Sequence, residues 1–208
     1  MVSMPVASVF LLLPCRKLFG GGQRYWLTFI LWELYRPIYL APDLPQHPRE
    51  VLELVRSIID LEKPGLLVGN SCGAFYVQML ASVVGISALL GNPHFKMTDF
   101  LRVRIGEHAY KSPRRDVRQS FVIDEALIGE FMEMEVIQFD SCRSDFRDRV
   151  WGVFGEADTL AHFEPLFLEH YNRVFHFPGG HTPTAEEVRQ WYVPLAEKML
   201  ASYRYQGV

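Results

Sequence analysis

The sequence predicts an α/β fold organised around a mostly parallel β-sheet. Short apolar or β-branched runs alternate along the chain with longer segments whose apolar residues recur at helical spacing. This alternation is typical of parallel strands joined by crossover helices. The run Gly65–Val68 is short and uniformly apolar, as in a central strand that is covered on both faces. Because neither a linker nor a repeat interrupts the pattern, we expect residues 1–208 to form one domain.

Periodicity, together with Pro and Gly boundaries, places the individual elements. In the first half, strands are predicted over Ser8–Leu13, Pro37–Pro42, Gly65–Val68 and Ile86–Leu90. The helices predicted between them cover Gln23–Glu33, Arg49–Glu62 and Ala74–Val83. In the second half we expect a helix over Asp124–Phe131, strands over Glu135–Phe139 and Arg149–Phe154, a helix from about His162, a strand over Arg173–Phe177 and a helix over Ala185–Ser202. Residues 94–120 lack clear periodicity and are predicted to leave the sheet as a lid.

Composition and charge argue against several classes of protein. Of the 208 residues, 49% are hydrophobic and 22% charged, and the formal net charge is −3, as in an ordinary globular domain. Since 24 acidic residues face 21 Lys and Arg, no excess of positive charge favours a nucleic-acid partner. No apolar run reaches the roughly 18 residues of a membrane-spanning helix. Val6–Leu13 lacks the preceding basic residues of a signal peptide, so we expect no membrane association.

The cysteines indicate neither a disulfide framework nor a structural zinc site. Cys15, Cys72 and Cys142 are odd in number, form no CxxC pattern and accompany no paired histidine spacing. This usage fits a reducing cytoplasm. We therefore expect a cytoplasmic protein that needs no metal or cofactor.

A G-x-S-x-G pattern, Gly69-Asn70-Ser71-Cys72-Gly73, lies between a predicted strand and a predicted helix. A sharp strand-to-helix turn projects the serine Oγ above the sheet, and Gly69 and Gly73 remove side chains that would collide there. The backbone N–H of Cys72 comes at the start of the helix, where free amides and the helix dipole favour an oxyanion. The pattern thus predicts Ser71 as a nucleophile and the Cys72 amide as an oxyanion donor.

An acid and a histidine follow in the chain order that this motif requires. Asp158 comes shortly after the strand predicted over Arg149–Phe154. His181 lies in a glycine-rich loop after the next predicted strand. Because the carboxyl ends of parallel strands meet at one edge of a sheet, we expect both side chains to converge on Ser71. The predicted catalytic residues are therefore Ser71, Asp158 and His181.

Simpler structural roles stay open for these three residues: a turn serine, an aspartate that caps the following helix, and a loop histidine bound to water. Glu156 and Asp140 are the alternative acids. His176 competes with His181, but it lies within a predicted strand, where its side chain cannot reach the loop edge.

The lid segment carries a group of basic residues, namely Arg102, Arg104, Lys111, Arg114, Arg115 and Arg118. They suggest recognition of a negatively charged substrate. A charged, exposed segment is more commonly a solvated face, and we favour that interpretation.

With the G-x-S-x-G turn (the nucleophile elbow), the acid and the histidine placed, the chain resembles the α/β-hydrolase superfamily, in particular its small bacterial YqiA-like esterases. The resemblance runs from about Val9 to Leu200 and also rests on Pro42-Asp43-Leu44-Pro45, Asn92-Pro93 and Val136-Ile137-Gln138-Phe139-Asp140. It implies a mostly parallel central sheet with helices on both faces and little or no cap. It also implies cleavage of short-chain esters by a Ser71-His181-Asp158 triad.

The first loop departs from the pattern of these relatives, which usually carry a His-Gly pair after the first strand. The present chain reads Leu13-Pro14-Cys15-Arg16. Proline has no amide to donate. By position, the resemblance implies that the second oxyanion donor is the amide of Arg16 or, failing that, of Cys15.

The sequence thus predicts a serine carboxylesterase or acyl thioesterase that acts on a small-molecule ester or thioester through an acyl-enzyme. The altered Pro14-Cys15 loop favours an alternative, a hydrolase fold whose chemistry has lapsed and that serves as a binding or scaffold protein. Acyl transfer to an acceptor other than water uses the same residues and stays open. Acyl length, leaving group and oligomeric state are not predicted.

Overall fold

The computed structural model describes residues 8–13, 38–110 and 118–204. These residues form the strands β1 (Ser8–Leu13), β2 (Ile38–Leu40), β3 (Leu66–Asn70), β4 (Ala88–Gly91), β5 (Gly106–Ala109), β6 (Ser120–Ile123), β7 (Val150–Gly155) and β8 (Arg173–Phe177). Six of them make one sheet in the order β2-β1-β3-β4-β7-β8, and β5 pairs with β6 in a separate antiparallel ribbon. The mostly parallel α/β sheet is confirmed, and β1 and β8 have the predicted bounds.

The helices of the described residues are α1 (Pro48–Glu62), α2 (Cys72–Val84), α3 (Met97–Arg102), α4 (Glu125–Ile137), α5 (Glu164–His170), α6 (Ala185–Glu187) and α7 (Val193–Arg204). A 3₁₀ turn covers Ser144–Phe146, and a π-helical turn over Val188–Tyr192 joins α6 to α7. In the described part of the chain, no helix is long and apolar enough to cross a bilayer. The helix predicted over Gln23–Glu33 lies outside the described residues.

Helices cover both faces of the sheet because successive strand residues point to opposite sides. Leu67 and Leu90 belong to the larger apolar cluster, which α1, α2, α4 and α5 share. Their neighbours Leu66 and Leu89 belong to a second cluster that includes Met199 of α7. All four leucines are fully buried. The central strands are therefore enclosed, as their uniformly apolar sequences predict.

Strands β3, β4, β7 and β8 are parallel, but β1 is not. It pairs antiparallel with both β2 and β3, so that Ser8 lies opposite Asn70 and Leu12 opposite Leu66. The prediction of a mostly parallel sheet assigned no direction to this first strand. A uniformly apolar strand presents the same pattern in either direction, so its sequence carries no signal for orientation.

The prediction of a strand over Glu135–Phe139 is wrong, because α4 continues to Ile137. The buried side chains Leu127, Phe131, Met134 and Gln138 recur every three or four residues. They form one stripe against the core, which extends the helix past the predicted end at Phe131. The β-branched residues Val136 and Ile137 are exposed on the other side.

The predicted lid segment divides into two parts. In the first part, Phe95, Phe100 and Leu101 are buried in the main cluster, so α3 belongs to the core. The second part forms the β5–β6 ribbon, whose residues 111–117 lie outside the described part of the chain. A lid role is left to this ribbon, where it stays a prediction.

The junction of β3 and α2 brings two backbone segments into close contact at Gly69. A Cβ atom added to Gly69 would lie 2.4 Å from the carbonyl oxygen of Gly73 and 2.7 Å from the nitrogen of Ala74. Both neighbours are backbone atoms that a side-chain rotation cannot move. Only glycine at position 69 therefore allows this strand-to-helix turn.

We expect Gly69→Ala to lower the free energy of unfolding by about 2–3 kcal/mol, because the turn must open to admit a methyl group. Gly129→Ala is the matched control, since Gly129 lies inside α4 and an added Cβ would meet no atom within 4 Å. That variant should gain about 0.5–1 kcal/mol from helix propensity. Urea unfolding monitored by circular dichroism measures both values. Equal stability of the two variants would contradict the close contact.

Candidate active site

Ser71 occupies the turn between β3 and α2 with a φ of 53° and a ψ of −121°. A positive φ is unfavourable for a residue with a side chain and costs about 1–3 kcal/mol. Backbone hydrogen bonds hold the conformation: the Ser71 N–H donates to the Gly91 carbonyl at 2.9 Å. The Ser71 carbonyl accepts from the N–H groups of Ala74 at 3.0 Å and His94 at 3.3 Å. The serine is thus fixed from both α2 and the end of β4.

The structure brings together the three residues that the sequence singled out. The Ser71 Oγ lies 2.7 Å from the His181 Nε2, and the His181 Nδ1 lies 2.8 Å from the Asp158 Oδ2. All three side chains are buried. In the neutral ring, Nδ1–H donates to the carboxylate and Nε2 accepts from the serine hydroxyl. This arrangement can transfer a proton from Ser71 to His181.

The two carboxylate oxygens of Asp158 have different partners. Its Oδ1 accepts from the N–H groups of Leu160 at 2.7 Å and Ala161 at 3.2 Å, which fixes the local turn, while Oδ2 faces His181. It does not cap a helix, because α5 begins later, at Glu164. Burial raises the pKa of Asp158, but the hydrogen bonds and the charge of His181 outweigh burial and bring the pKa below its usual value. The carboxylate is therefore ionised at neutral pH.

The loop that carries His181 is held by Asn92, the residue after β4. The Asn92 Nδ2 donates to the carbonyls of Gly180 at 3.0 Å and His181 at 2.9 Å, and its Oδ1 accepts from the Gly155 N–H at 2.7 Å. Asn92 is fully buried and has a φ of 39°, which Asn tolerates better than most residues. The Nδ2 of Asn70 adds a hydrogen bond to the His181 carbonyl at 3.3 Å.

Sequence reasoning noted Asn92 only as part of an Asn-Pro pair and gave Asn70 no function. The available signal was an asparagine directly after a buried central strand, where turn residues with positive φ occur. Its role as a link between three strand ends is visible only in the structure.

The acid loop and the histidine loop lie against each other at Gly155. An added Cβ there would approach the Gly179 carbonyl oxygen to 2.5 Å. The Ala157 N–H donates to that same carbonyl at 3.0 Å, and the Glu156 N–H donates to the Phe177 carbonyl at 2.8 Å. These bonds extend the β7–β8 pairing into the loops and fix the distance between Asp158 and His181.

The alternative residues lie elsewhere. His176 is part of β8, is exposed and pairs with Glu164 at 2.8 Å. Asp140 and Glu156 are exposed, unlike the buried Asp158. The described residues contain no group of three His, Cys, Asp or Glu side chains that could hold a metal ion.

Cys72 begins α2, so its backbone N–H is one of the helix amides without an intrahelical partner. Burial raises the pKa of its thiol to about 12, although a hydrogen bond with Tyr76 partly opposes this effect. The thiol stays protonated and is a poor nucleophile. What Cys72 offers at this site is therefore its amide.

The predicted second donors, Arg16 and Cys15, lie outside the described residues. Ser8 pairs with Asn70 beside the Ser71 turn, whereas Leu13 pairs with Ile38, five residues further along the strand. The assignment of the second donor stays a prediction.

A second buried histidine, which the sequence did not single out, lies beside the elbow. The His94 side chain packs against Phe100 and Phe163, with ring centroids 5.2 and 4.9 Å apart, and its residue is 4% exposed. Its Nδ1 has no hydrogen-bond partner among the described residues. Burial, followed by the charge of His181, lowers the pKa of His94 to about 4, while Asp158 acts in the opposite direction. The ring is neutral at pH 7.

The fold is that of the α/β hydrolases, and solved structures support this class. Est1E from Butyrivibrio proteoclasticus aligns over 88% of this chain and 85% of its own, with 16% identity and a TM-score of 0.55. One of LipS and LipT, two metagenome-derived lipolytic enzymes, aligns over 75% and 74%, with 9% identity and a TM-score of 0.55. MGS-MChE2, an α/β-hydrolase from a sediment metagenome of the Mar Chica lagoon in Morocco, aligns over 90% and 92%, with 11% identity and a TM-score of 0.50. At such identities the likeness concerns the fold.

A sequence profile of UPF0227, described as an uncharacterised protein family, matches residues 33–163, which is more than half of the chain. The chain belongs to this family, the YqiA-like family of α/β hydrolases. The matched range contains Ser71 and Asp158, whereas His181 follows it. A comparison with curated proteins found no significant match.

We expect Asn92→Asp to loosen the histidine loop without changing the turn. Aspartate tolerates the positive φ and still accepts from Gly155 N–H, but its carboxylate repels the carbonyls of Gly180 and His181. The free energy of unfolding should fall by about 1–3 kcal/mol in urea titrations. Asn172→Asp, on an exposed side chain, is the matched control and should stay close to wild type. Equal losses of unfolding free energy in both variants would rule out a role of Asn92 in holding the histidine loop.

His94→Phe is expected to reduce the pH dependence of stability. In the wild type, unfolded His94 takes up a proton below its ordinary pKa of 6.5, while folded His94 stays neutral down to about pH 4. Acidification across this window therefore favours unfolding, by up to about 2–3 kcal/mol. Denaturant titrations at pH 7.5 and 4.5 measure the difference, and groups common to both proteins cancel. An unchanged difference would show that His94 titrates normally.

Proposed function

We propose that the protein is a serine hydrolase that cleaves a small carboxylic ester or acyl thioester through an acyl-enzyme. The observation that carries the proposal is the continuous hydrogen-bonded series from Asp158 through His181 to Ser71. It occurs beside a helix N-terminus and on a fold shared with lipolytic enzymes. A serine, an aspartate and a histidine with only structural roles in turns would not need to be combined in this way.

Acylation begins when His181 Nε2 accepts the Ser71 proton and the Oγ attacks the acyl carbonyl carbon. A new C–O bond forms, and the carbonyl electron pair moves to the oxygen. The Cys72 amide donates to this oxyanion, aided by the dipole of α2. Because Ser71 is shielded from bulk water, the amide acts in a low dielectric where its interaction with charge is strong.

The tetrahedral intermediate formed by this attack then collapses, and the bond between the acyl carbon and the leaving group breaks. His181 donates its proton to the departing alcohol or thiol, which leaves the acyl group on the Ser71 Oγ. A water molecule repeats the attack with His181 as the base, and the acid product is released. Asp158 stays ionised throughout: it holds Nδ1–H in place and stabilises the positive ring.

The second oxyanion donor determines how fast this chemistry is. In comparable sites, loss of one donor costs about 2.7–4 kcal/mol of transition-state stabilisation, or roughly 10²–10³ in rate. A site with the Cys72 amide alone would be slow but would retain its nucleophile. The altered Pro14-Cys15 sequence favours, as a second candidate, a binding or scaffold protein whose chemistry has lapsed.

The proposed substrate is a small molecule, and we place the reaction in the cytoplasm without metal or cofactor. Neither the net charge of −3 nor the described helices point to nucleic acid or membrane partners. Acyl transfer to an acceptor other than water would proceed through the same acyl-enzyme intermediate.

A fluorophosphonate probe should form one covalent adduct on the wild-type protein and none on Ser71→Ala, because the probe reacts with an activated serine hydroxyl. Intact-protein mass spectrometry measures the adduct. Ser57→Ala is the matched control: Ser57 is exposed on α1 and bonds only to the Leu54 carbonyl. That variant should label like the wild type.

Absence of an adduct on folded wild-type protein would contradict the serine hydrolase and favour the binding protein. An adduct that persists in Ser71→Ala would place the reactive group elsewhere.

A further inference from the structure

His94 lies at the reaction centre without a role in the proposed mechanism. Its backbone N–H donates to the Ser71 carbonyl at 3.3 Å, which fixes the residue against the nucleophile. The charges of His181 and Asp158 both affect its ring, as expected of a group close to the triad. The general base is already provided by His181, which bonds to the Ser71 Oγ.

The buried position leaves one polar atom of the His94 ring without a hydrogen bond. The His94 ring lies between Phe100 and Phe163, and its Nδ1 is buried without a hydrogen bond to the described residues. A phenylalanine of similar shape would fit this aromatic setting with no polar atom to satisfy. An unpaired buried polar group in an active site is explained when a ligand supplies its partner.

The charge state of the ring restricts what that partner can be. Burial, His181 and the guanidinium of Arg104 lower the pKa of His94 to about 4, and they outweigh Asp158 and a backbone hydrogen bond, which both favour the protonated ring. Arg104 itself lies over the Phe100 ring, with its Cζ 3.7 Å from the centroid. A neutral imidazole has one N–H donor and one acceptor nitrogen. It therefore suits a neutral oxygen group, such as a hydroxyl or a ketone, better than a carboxylate.

The buried position indicates which part of the substrate carries this oxygen. The leaving group must depart to solvent, whereas the acyl chain stays attached to Ser71 during the second half of the reaction. The His94 ring is buried between two phenylalanines on a residue whose backbone is bonded to Ser71, and such an apolar setting is suited to an acyl chain.

We propose that His94 is a specificity-determining residue that hydrogen-bonds a hydroxyl or keto oxygen on the acyl chain, so that hydroxyacyl and oxoacyl esters are preferred to plain alkanoyl esters. This inference rests on the proposed function, because it assumes an acyl group bound at Ser71. A site built to pair with a substrate hydroxyl discriminates strongly against the analogue that lacks it, because the buried group is then left unpaired.

The test compares kcat/KM for ethyl butanoate with that for its 2-, 3- and 4-hydroxy and 3-oxo derivatives, measured by pH-stat at pH 7.5. The wild type should prefer the best oxygenated ester by at least about tenfold. His94→Phe should lose this preference, so that its kcat/KM values for the oxygenated esters and for ethyl butanoate become similar. His94→Gln, which keeps a hydrogen-bonding group, should recover part of the preference.

His170→Phe is the matched control, because it makes the same chemical change in a ring stacked on Phe139 at the end of α5. It should keep the wild-type preference. Equal use of plain and oxygenated esters by the wild type, or a preference that survives in His94→Phe, would overturn the role of His94. In either case ester cleavage would still support the proposed hydrolase. If no ester is cleaved and the fluorophosphonate leaves Ser71 unlabelled, both proposals fail.

Discussion

The backbone conformation of Ser71 is the constraint on which the rest of the site depends. With φ at 53°, the residue turns the chain from β3 directly into α2 and projects its hydroxyl towards His181. Such a conformation persists only where its surroundings compensate for the strain. Here the Ser71 N–H and carbonyl bond to Gly91 and to His94, which flank the end of β4, while Gly69 leaves room for the helix. The elbow is thus stabilised by the neighbouring strand as well as by its own turn.

The same region positions the other two groups. Asn92 directly follows the strand that supports Ser71, and its side chain reaches both the end of β7 at Gly155 and the carbonyl of His181. A single buried amide therefore connects the end of β4, the strand beside the Ser71 turn, to the acid loop and the histidine loop. Because parallel strands end at one edge, these three loops are neighbours, and Asn92 fixes their spacing. The ionised Asp158 then orients a ring that is already held through its backbone.

Much of the fold and most of the candidate site can be predicted from local sequence signals. The G-x-S-x-G pattern is specific because steric limits at the turn demand its glycines, as the Gly69 contact demonstrates. Asp158 and His181 follow strands whose apolar sequences mark them clearly, and chain order then assigns their places.

Other features depend on tertiary contacts that the sequence does not encode locally. The direction of β1 has no signature in a uniformly apolar strand. Val136 and Ile137 have strand propensity, but the buried stripe that ends at Gln138 makes the segment helical. Asn92 and His94 make their contacts with groups distant in the chain, Gly155, His181 and Phe163 among them, so no local pattern distinguishes them from turn residues.

If Ser71 carries the acyl group during turnover, that group can be trapped on its Oγ. The protein would be mixed with p-nitrophenyl acetate, quenched in acid within the first turnover and digested for peptide mass mapping. We expect an acetyl group on Ser71 that forms as fast as nitrophenolate is released and is lost again when the incubation before the quench is prolonged. Nitrophenolate release with no acetyl on Ser71, or with a stable acetyl on another residue, would contradict it.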